Sequence, residues 1–260
     1  MSIAILTDDV ISRIAAGEVV ERPSSVVKEL IENSIDAGAT AVHVEIIASG
    51  RQLIRISDNG SGILRNEIEL AFKRHATSKL RDTKDLETLV TLGFRGEALA
   101  SIASVSQTTV VTRHRSDDMG VSLKMNGGMI QHQKSIGAPA GTVITIENLF
   151  FNTPARLKFL KSDNTEKRHI QNVITHYAMA YPTVRFVLKQ DGREQFRSSG
   201  SGELADVVAK VFGLDSFKRM VEVSSEEPSR NGHPQITVYG FVSEPTLNRN
   251  DRSRIILFIN

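Results

Sequence analysis

Glu29-Leu30-Ile31-Glu32-Asn33-Ser34-Ile35-Asp36-Ala37-Gly38-Ala39 is the stretch on which the reading of this chain turns. At about 100° per residue, a helix through it gathers Glu29, Asn33 and Asp36 into one narrow sector, because spacings of four and three return side chains to one face. Val26, Val27, Leu30, Ile31 and Ser34 fall on the other side. Upstream, Pro23 fits a first helical turn, where its missing N–H costs nothing, and Gly38 suits a left-handed residue past the end. An amphipathic helix with a start and a stop is therefore predicted. Its polar face carries a carboxylate able to activate a water, a carboxamide whose oxygen can hold a hard cation, and a second carboxylate able to support either. A plain solvated face has the same composition, so the rest of the chain decides between the two.

The 260 residues, 40% hydrophobic and 24% charged, can bury a sizeable core and form more than one domain. There is no cysteine, which excludes disulfides and thiolate zinc sites and points to a reducing, cytoplasmic setting. No apolar run is long enough to span a bilayer, and residues 1–9 lack a basic region followed by an apolar block, so neither a membrane segment nor a leader is predicted. With a net charge of +2, any contact with nucleic acid must come from local clusters of Lys and Arg.

Before the central helix, Asp8 and Asp9 followed by Val10, Ile11, Ile14 and Ala15 predict a small helical arm ending at Gly17. After it, alternation over Val42, Val44 and Ile46 and again over Leu53 to Ser57 predicts two antiparallel strands joined by a tight turn. Asp58-Asn59-Gly60-Ser61-Gly62-Ile63 follows. Its glycines allow a sharp bend close to a ligand, and Asp58 can accept a hydrogen bond from an exocyclic amine; an ordinary turn fits equally well. Helical periodicity is expected from Asn66 to His75 through Ile68, Ala71 and Phe72. His75-Ala76-Thr77-Ser78-Lys79 offers hydroxyls and an ammonium to phosphate oxygens, and reads equally as a solvated turn. Gly93-Phe94-Arg95-Gly96 precedes a helix running from Glu97 through Val105, so its backbone N–H groups can surround phosphates or simply cap the helix.

Strands are expected at Thr108 to Thr112, Val121 to Met125, Met129 to Gln133 and Thr142 to Ile146, with a turn at Asn126-Gly127-Gly128, implying a sheet covered by helices on one face. Leu149 to Leu160 is aromatic and then basic. Ile170, Val173, Ile174, Tyr177 and Ala178 form a helical stripe that Tyr181-Pro182 ends. Strands at Phe186 to Lys189 and Glu194 to Arg197 precede the linker-like Ser198 to Gly202, where a domain boundary is placed. Beyond it come a helix at Leu204 to Phe212 and strands at Val221 to Val223, Gln235 to Val242 and Arg254 to Ile259.

Neither G-x-x-x-x-G-K-[ST] nor a G-x-G-x-x-G between strand and helix occurs, so a P-loop and a dinucleotide-binding turn are absent. The helix motif around Glu29, D-x-G-x-G at Asp58, G-F-R-G-E-A-L at Gly93 and Gly141-Thr142 instead resemble the four ATP-binding motifs of the GHKL superfamily. That group includes type II topoisomerases, Hsp90-type chaperones, sensor histidine kinases and MutL mismatch-repair proteins. The runs from Glu32 to Ala39, Asp58 to Ile63, His75 to Lys79, Gly93 to Leu99 and Leu149 to Leu160 resemble the MutL family most closely, and the likeness extends from Ile14 to Asn260.

The resemblance implies an α/β sandwich of the GHKL type over residues 1–200, with residues 1–20 as an N-terminal arm. A ribosomal-S5-like domain would begin at 201–260 and be incomplete at its C-terminus. It implies ATP and Mg2+ as ligands, Glu29 as general base, Asn33 as the magnesium ligand and Asp58 as acceptor for the adenine amino group. Asp36, Gly60 and Gly62 join the same nucleotide site, Gly93, Phe94, Arg95 and Gly96 form a phosphate-enclosing lid, and Lys79 and Thr142 lie nearby. The expected activity is slow hydrolysis that switches N-terminal dimerisation and contact with DNA, the mismatch-recognition protein MutS and a downstream nuclease or helicase. Arg156, Lys158, Lys161, Lys167, Arg168, Arg249, Arg252 and Arg254 can supply phosphate contacts to DNA or simply be solvated. MutL proteins place a further γ-phosphate lysine beyond the last residue here, so weakened affinity or turnover is expected of this 260-residue chain. A catalytically silent DNA-binding scaffold and a sister GHKL enzyme are the rivals. A histidine kinase would need a phosphoacceptor on an early helical hairpin, whereas the first histidine, His43, falls on a predicted strand.

Overall fold

Burial of one face explains helix α1 (Pro23–Asp36) and sets the position of the elements around it. Val26, Val27, Leu30 and Ile31 are at most 2% exposed, each contributing about 1.5–3 kcal/mol on burial. Pro23 occupies the first turn, and Gly38 takes a φ of +71° just past the end. The computed structural model describes residues 17, 19–79, 91–93, 96–228, 235–248, 250–252 and 254–259. The helical arm expected near the N-terminus, Phe94, Arg95 and Arg249 lie outside the described residues.

Strands β1 (Ala41–Ile47) and β2 (Leu53–Asp58) form the expected antiparallel pair, joined through a 3-10 turn at Ala48–Gly50. Helix α2 (Ala98–Ser104) leads into β3 (Gln107–Arg113), β4 (Gly120–Asn126), β5 (Met129–Ile136) and β6 (Gly141–Glu147). Helices α3 (Pro154–Phe159) and α4 (Asp163–Ala180) then precede β7 (Arg185–Gln190) and β8 (Arg193–Arg197). The sheet order is β5-β4-β3-β6-β2-β1-β7-β8, and the β1–β7 pair is parallel. Val42, Val44, Ile46, Ile54, Ile56, Val110, Ile144 and Ile146 face the helices and are buried. Alternate residues such as His43, Arg55, Lys124, Glu147 and Lys189 are exposed, the period-2 signature of a sheet covered on one side.

Helix α5 (Leu204–Phe212) follows, then the short α6 (Leu214–Phe217) and a separate two-stranded sheet of β9 (Met220–Glu227) and β10 (Ile236–Ser243). Val207 and Val208 of α5 are buried in the same hydrophobic core as the eight-stranded sheet, although they lie past the boundary drawn at Ser198 to Gly202.

Two expectations are corrected. Asn66 to His75 is not a regular helix but turns with a 3-10 segment at Leu70–Phe72, ending at Lys73 in extended backbone. Ile68 alone is fully buried while Leu70 is 52% exposed, and so short an apolar stripe does not repay helix nucleation. Arg254 to Ile259 is not a strand. Ile255, Leu257 and Ile259 are exposed and no ladder partner pairs with them among the described residues, and strand propensity without a partner does not make a strand.

Candidate functional site

Two clusters converge on the C-terminal half of α1. In the first, Asp58 ends β2 on the helix-facing side, opposite Val42 and Thr142. Its Oδ1 accepts from the Gly60 N–H at 2.9 Å and its Oδ2 from the Ser34 hydroxyl at 3.0 Å. Burial pushes the Asp58 carboxyl up, opposed by those two bonds and by one from the Thr142 backbone. The bend is held tightly. A Cβ on Gly62, which has a φ of +75°, would lie 2.1 Å from the Arg113 carbonyl oxygen, and one on Gly141 2.2 Å from that of Asp58. The Thr142 and Thr112 hydroxyls are 3.0 Å apart, and the Ile63 N–H donates to Thr112 at 2.9 Å. The Ser61 N–H donates to the Ala37 carbonyl, tying the bend to the helix end.

The second cluster gathers on Asn33 and Asp36, the residues flanking Ser34 on the same turn. The Lys79 ammonium donates to Asp36 Oδ2 at 2.5 Å and to Asn33 Oδ1 at 3.1 Å. The Leu92 and Gly93 N–H groups donate to the two Asp36 oxygens at 3.0 and 3.1 Å. Gly96 packs so closely on Ala76 that a Cβ there would meet its carbonyl oxygen at 2.6 Å, and His75 Nδ1 lies 3.2 Å from Glu97. Ala76 and Lys79 are therefore neighbours of Gly96 and Gly93.

Glu29 is one helical turn before Asn33, with a quarter of its side chain exposed. Burial pushes its carboxyl up, Lys28 draws it down, the Glu32 charge raises it further and Lys79 lowers it; the net direction is upward. A carboxylate raised in this way is a stronger proton acceptor than one in water. Glu32 is differently placed. It is 7% exposed, accepts the Tyr177 hydroxyl, and pairs with Lys28 at 3.0 Å.

The basic candidates differ in their contacts. Arg156 lies over the Phe150 ring and against Gly17, Lys167 pairs with Asp191 at 2.5 Å, and Arg254 stacks over Phe212. Lys158, Lys161, Arg168 and Arg252 are exposed. A surface hollow of about 540 Å³ lined by Leu64, Arg65, Asn66, Asp117 and Gln133 contains none of the candidate residues. Ser34, Thr112 and Tyr177 are contributors that the residue pattern alone did not reveal. Ser34 was legible only as part of the apolar face, and no spacing rule relates Tyr177 to a helix 145 positions away.

Residues 21–151, half of the chain, match the family described as histidine kinase-, DNA gyrase B-, and HSP90-like ATPase. The ATPase domain of Aquifex aeolicus MutL, solved in complex with ADP, is similar at a TM-score of 0.65 and 36% identity, over 80% of this chain and 73% of that one. The chain belongs to the MutL family of these ATPases. DNA mismatch repair protein MutL of Acidobacterium capsulatum is 44% identical over 99% of this chain and 42% of its own length. The Streptococcus thermophilus MutL is 47% identical over 96% of this chain and 38% of its own. The chain thus spans about two fifths of the curated MutL relatives it matches. The mixed sheet with helices on one face is the fold of this family's ATPase domain. Among the described residues no helix is long and apolar enough to cross a membrane.

Proposed function

We propose that this chain binds ATP between α1, the Asp58 bend and the Gly93 to Gly96 loop, and hydrolyses it slowly as a switch in DNA mismatch repair. The supporting observation is the convergence of Asp58, Asn33, Asp36, Lys79 and Gly93 on one half of α1, with Glu29 a turn away on the same helix. Asp58, with lone pairs left on an oxygen already fixed by Ser34, accepts the adenine amine. Lys79 presents its ammonium to the phosphates, and the backbone of the glycine loop encloses them, with Phe94 and Arg95 as its remaining members.

Asn33 fits magnesium. Its Oδ1 is a hard neutral donor that already faces a cation, the Lys79 ammonium, at 3.1 Å, and magnesium is commonly held by one or two protein oxygens together with phosphates and water. Among the described residues no three His, Asp or Glu side chains converge as a protein-only cage. When bound, the ion neutralises developing charge on the phosphate oxygens. In hydrolysis the water oxygen bonds to the γ-phosphorus, the bond to the bridging oxygen breaks with its electron pair leaving on ADP, and Glu29 takes the water's proton. Glu32 is less open to water, at 7% exposed with Tyr177 and Lys28 both on its Oε1, whereas a quarter of the Glu29 side chain is exposed.

The switch reading extends to N-terminal homodimerisation, contact with DNA through exposed Lys158, Lys161, Arg168 and Arg252, and engagement of MutS and a repair nuclease or helicase in the cytoplasm. The division into an ATPase domain at 1–200 and the start of an S5-like domain at 201–260 belongs to the same proposal. Glu29→Ala tests the chemistry. It should leave the Kd for ATP, measured by titration calorimetry, unchanged while hydrolysis falls by about 10²–10⁴-fold. Undiminished hydrolysis would remove Glu29 from its role, and no heat of ATP binding by the parent chain would remove the site.

A further inference from the structure

Tyr177, on α4 and outside the residues matched to the ATPase family, reaches across to the helix that carries the catalytic face. Its hydroxyl donates to Glu32 Oε1. The same oxygen lies 3.0 Å from the Lys28 ammonium, and that ammonium lies 3.5 Å from Glu29 Oε1. Glu32 is buried and its accepting oxygen is shared between two donors, so the three residues form one connected unit ending at Glu29.

We infer that Tyr177 is a positioning residue for hydrolysis: through Glu32 it holds Lys28 between two carboxylates and thereby fixes the orientation of Glu29 toward the attacking water. This rests on the reading of Glu29 as the base. Removing the hydroxyl leaves the buried Glu32 oxygen with Lys28 as its only donor among the described residues. A buried carboxylate that loses one donor draws harder on the other. Lys28 then moves onto Glu32, and Glu29 loses the contact that restrains it. Burial and the Glu32 carboxylate push the Tyr177 phenol far above its ordinary range, so the hydroxyl keeps its proton and remains the donor. The Tyr177 ring also stacks on Tyr181 at 6.3 Å between centroids, an arrangement that phenylalanine preserves.

The test is Tyr177→Phe in the full chain, with the carboxyl carbons of Glu29 and Glu32 followed by NMR alongside ATP affinity and turnover. Both resonances should move, the Kd for ATP should stay within about twofold, and kcat should fall about tenfold, the scale of a modest misplacement of a reacting group. In a Glu32→Gln background the tyrosine change should add little, since the two act as one unit. A Glu29 resonance that stays still while Glu32 moves overturns the inference, whether or not turnover is measurable. So does an unchanged kcat in a chain where Glu29→Ala abolishes hydrolysis, or a joint loss of ATP affinity and thermal midpoint, which marks a merely structural tyrosine. If Glu29→Ala leaves hydrolysis intact, the base assignment fails by itself and the NMR still decides whether the contact is transmitted.

Discussion

Asp58→Asn separates the two things this carboxylate does. In the folded chain Oδ1 is taken by the Gly60 N–H at 2.9 Å and Oδ2 by the Ser34 hydroxyl at 3.0 Å, leaving acceptor capacity on Oδ2 for an incoming amine. Asparagine has one accepting oxygen. If that oxygen keeps the Gly60 N–H, its amide nitrogen points a donor at the adenine amino group, donor against donor. Ser34 loses little, because its hydroxyl already reaches the Leu30 carbonyl at 3.0 Å. A hydrogen bond to a charged group contributes about 1.5–3 kcal/mol, so the Kd for ATP should rise by roughly 10–150-fold.

Stability should move the other way. Burial holds the Asp58 pKa above its ordinary 3.8. The folded form therefore favours the protonated acid, and that contribution is fully present below about 3.8 and lost as pH rises through the raised folded value. At neutral pH the ionised carboxylate is a net cost that asparagine does not carry, so the nucleotide-free variant should melt no lower than the parent at pH 7. For the same reason, ATP affinity of the parent should weaken more steeply on acidification through the raised Asp58 pKa than that of the variant. Titration calorimetry with ATP and GTP, paired with scanning calorimetry, reads both arms. A change in Kd for ATP under about threefold would refute the placement of adenine at Asp58.

Other substitutions follow from geometry already given. Gly62→Ala forces a side chain into a left-handed conformation 2.1 Å from a backbone oxygen, and should lower stability by about 2–3 kcal/mol or more, read as a shift of the urea midpoint at unchanged m-value. An unshifted midpoint would mean that the bend is free to open. Lys79→Ala removes the ammonium from Asn33 and Asp36 and should weaken ATP binding about tenfold, with ADP affected less; equal losses for the two nucleotides would place Lys79 away from the γ-phosphate. Replacing exposed Lys158 and Lys161 by alanine should reduce the slope of log K for DNA against log salt by about 2, and an unchanged slope would take both residues out of the interface.

What was legible in the sequence was what local physics encodes. Pro23, the apolar stripe from Val26 to Ile31 and Gly38 delimit α1 without help from elsewhere, and period-2 alternation located β1, β2, β3, β4 and β6. Asp58 and its glycines announced a bend because only glycine tolerates the backbone found at Gly62. The failures lie where distant packing overrides local preference. Ile68, Ala71 and Phe72 have helical spacing, but nothing buries Leu70 beside them, so turns prevail. Ile255 and Leu257 have strand character and no partner. Within the site, the Ser34 contact to Asp58 spans 24 positions and the Tyr177 contact to Glu32 spans 145, separations over which periodicity carries no information. The basic residues are ambiguous for another reason, since composition does not reveal a contact such as that of Arg254 with the Phe212 ring.

All the motif residues from Glu29 to Thr142 precede α4, yet α4 packs against α1 and supplies Ile170, Ile174 and Ala178 to the shared core. Asp163 opens α4 140 positions after Pro23 opens α1, so at a synthesis rate of about 5–20 residues per second α1 lacks this partner for roughly 7–30 seconds. Through that interval the nascent polypeptide presents a greasy stripe to its surroundings and is a client for holding chaperones. A chain ending at residue 151 would carry every ATP motif but lack Ile170, Ile174 and Ala178, which α4 contributes to the core.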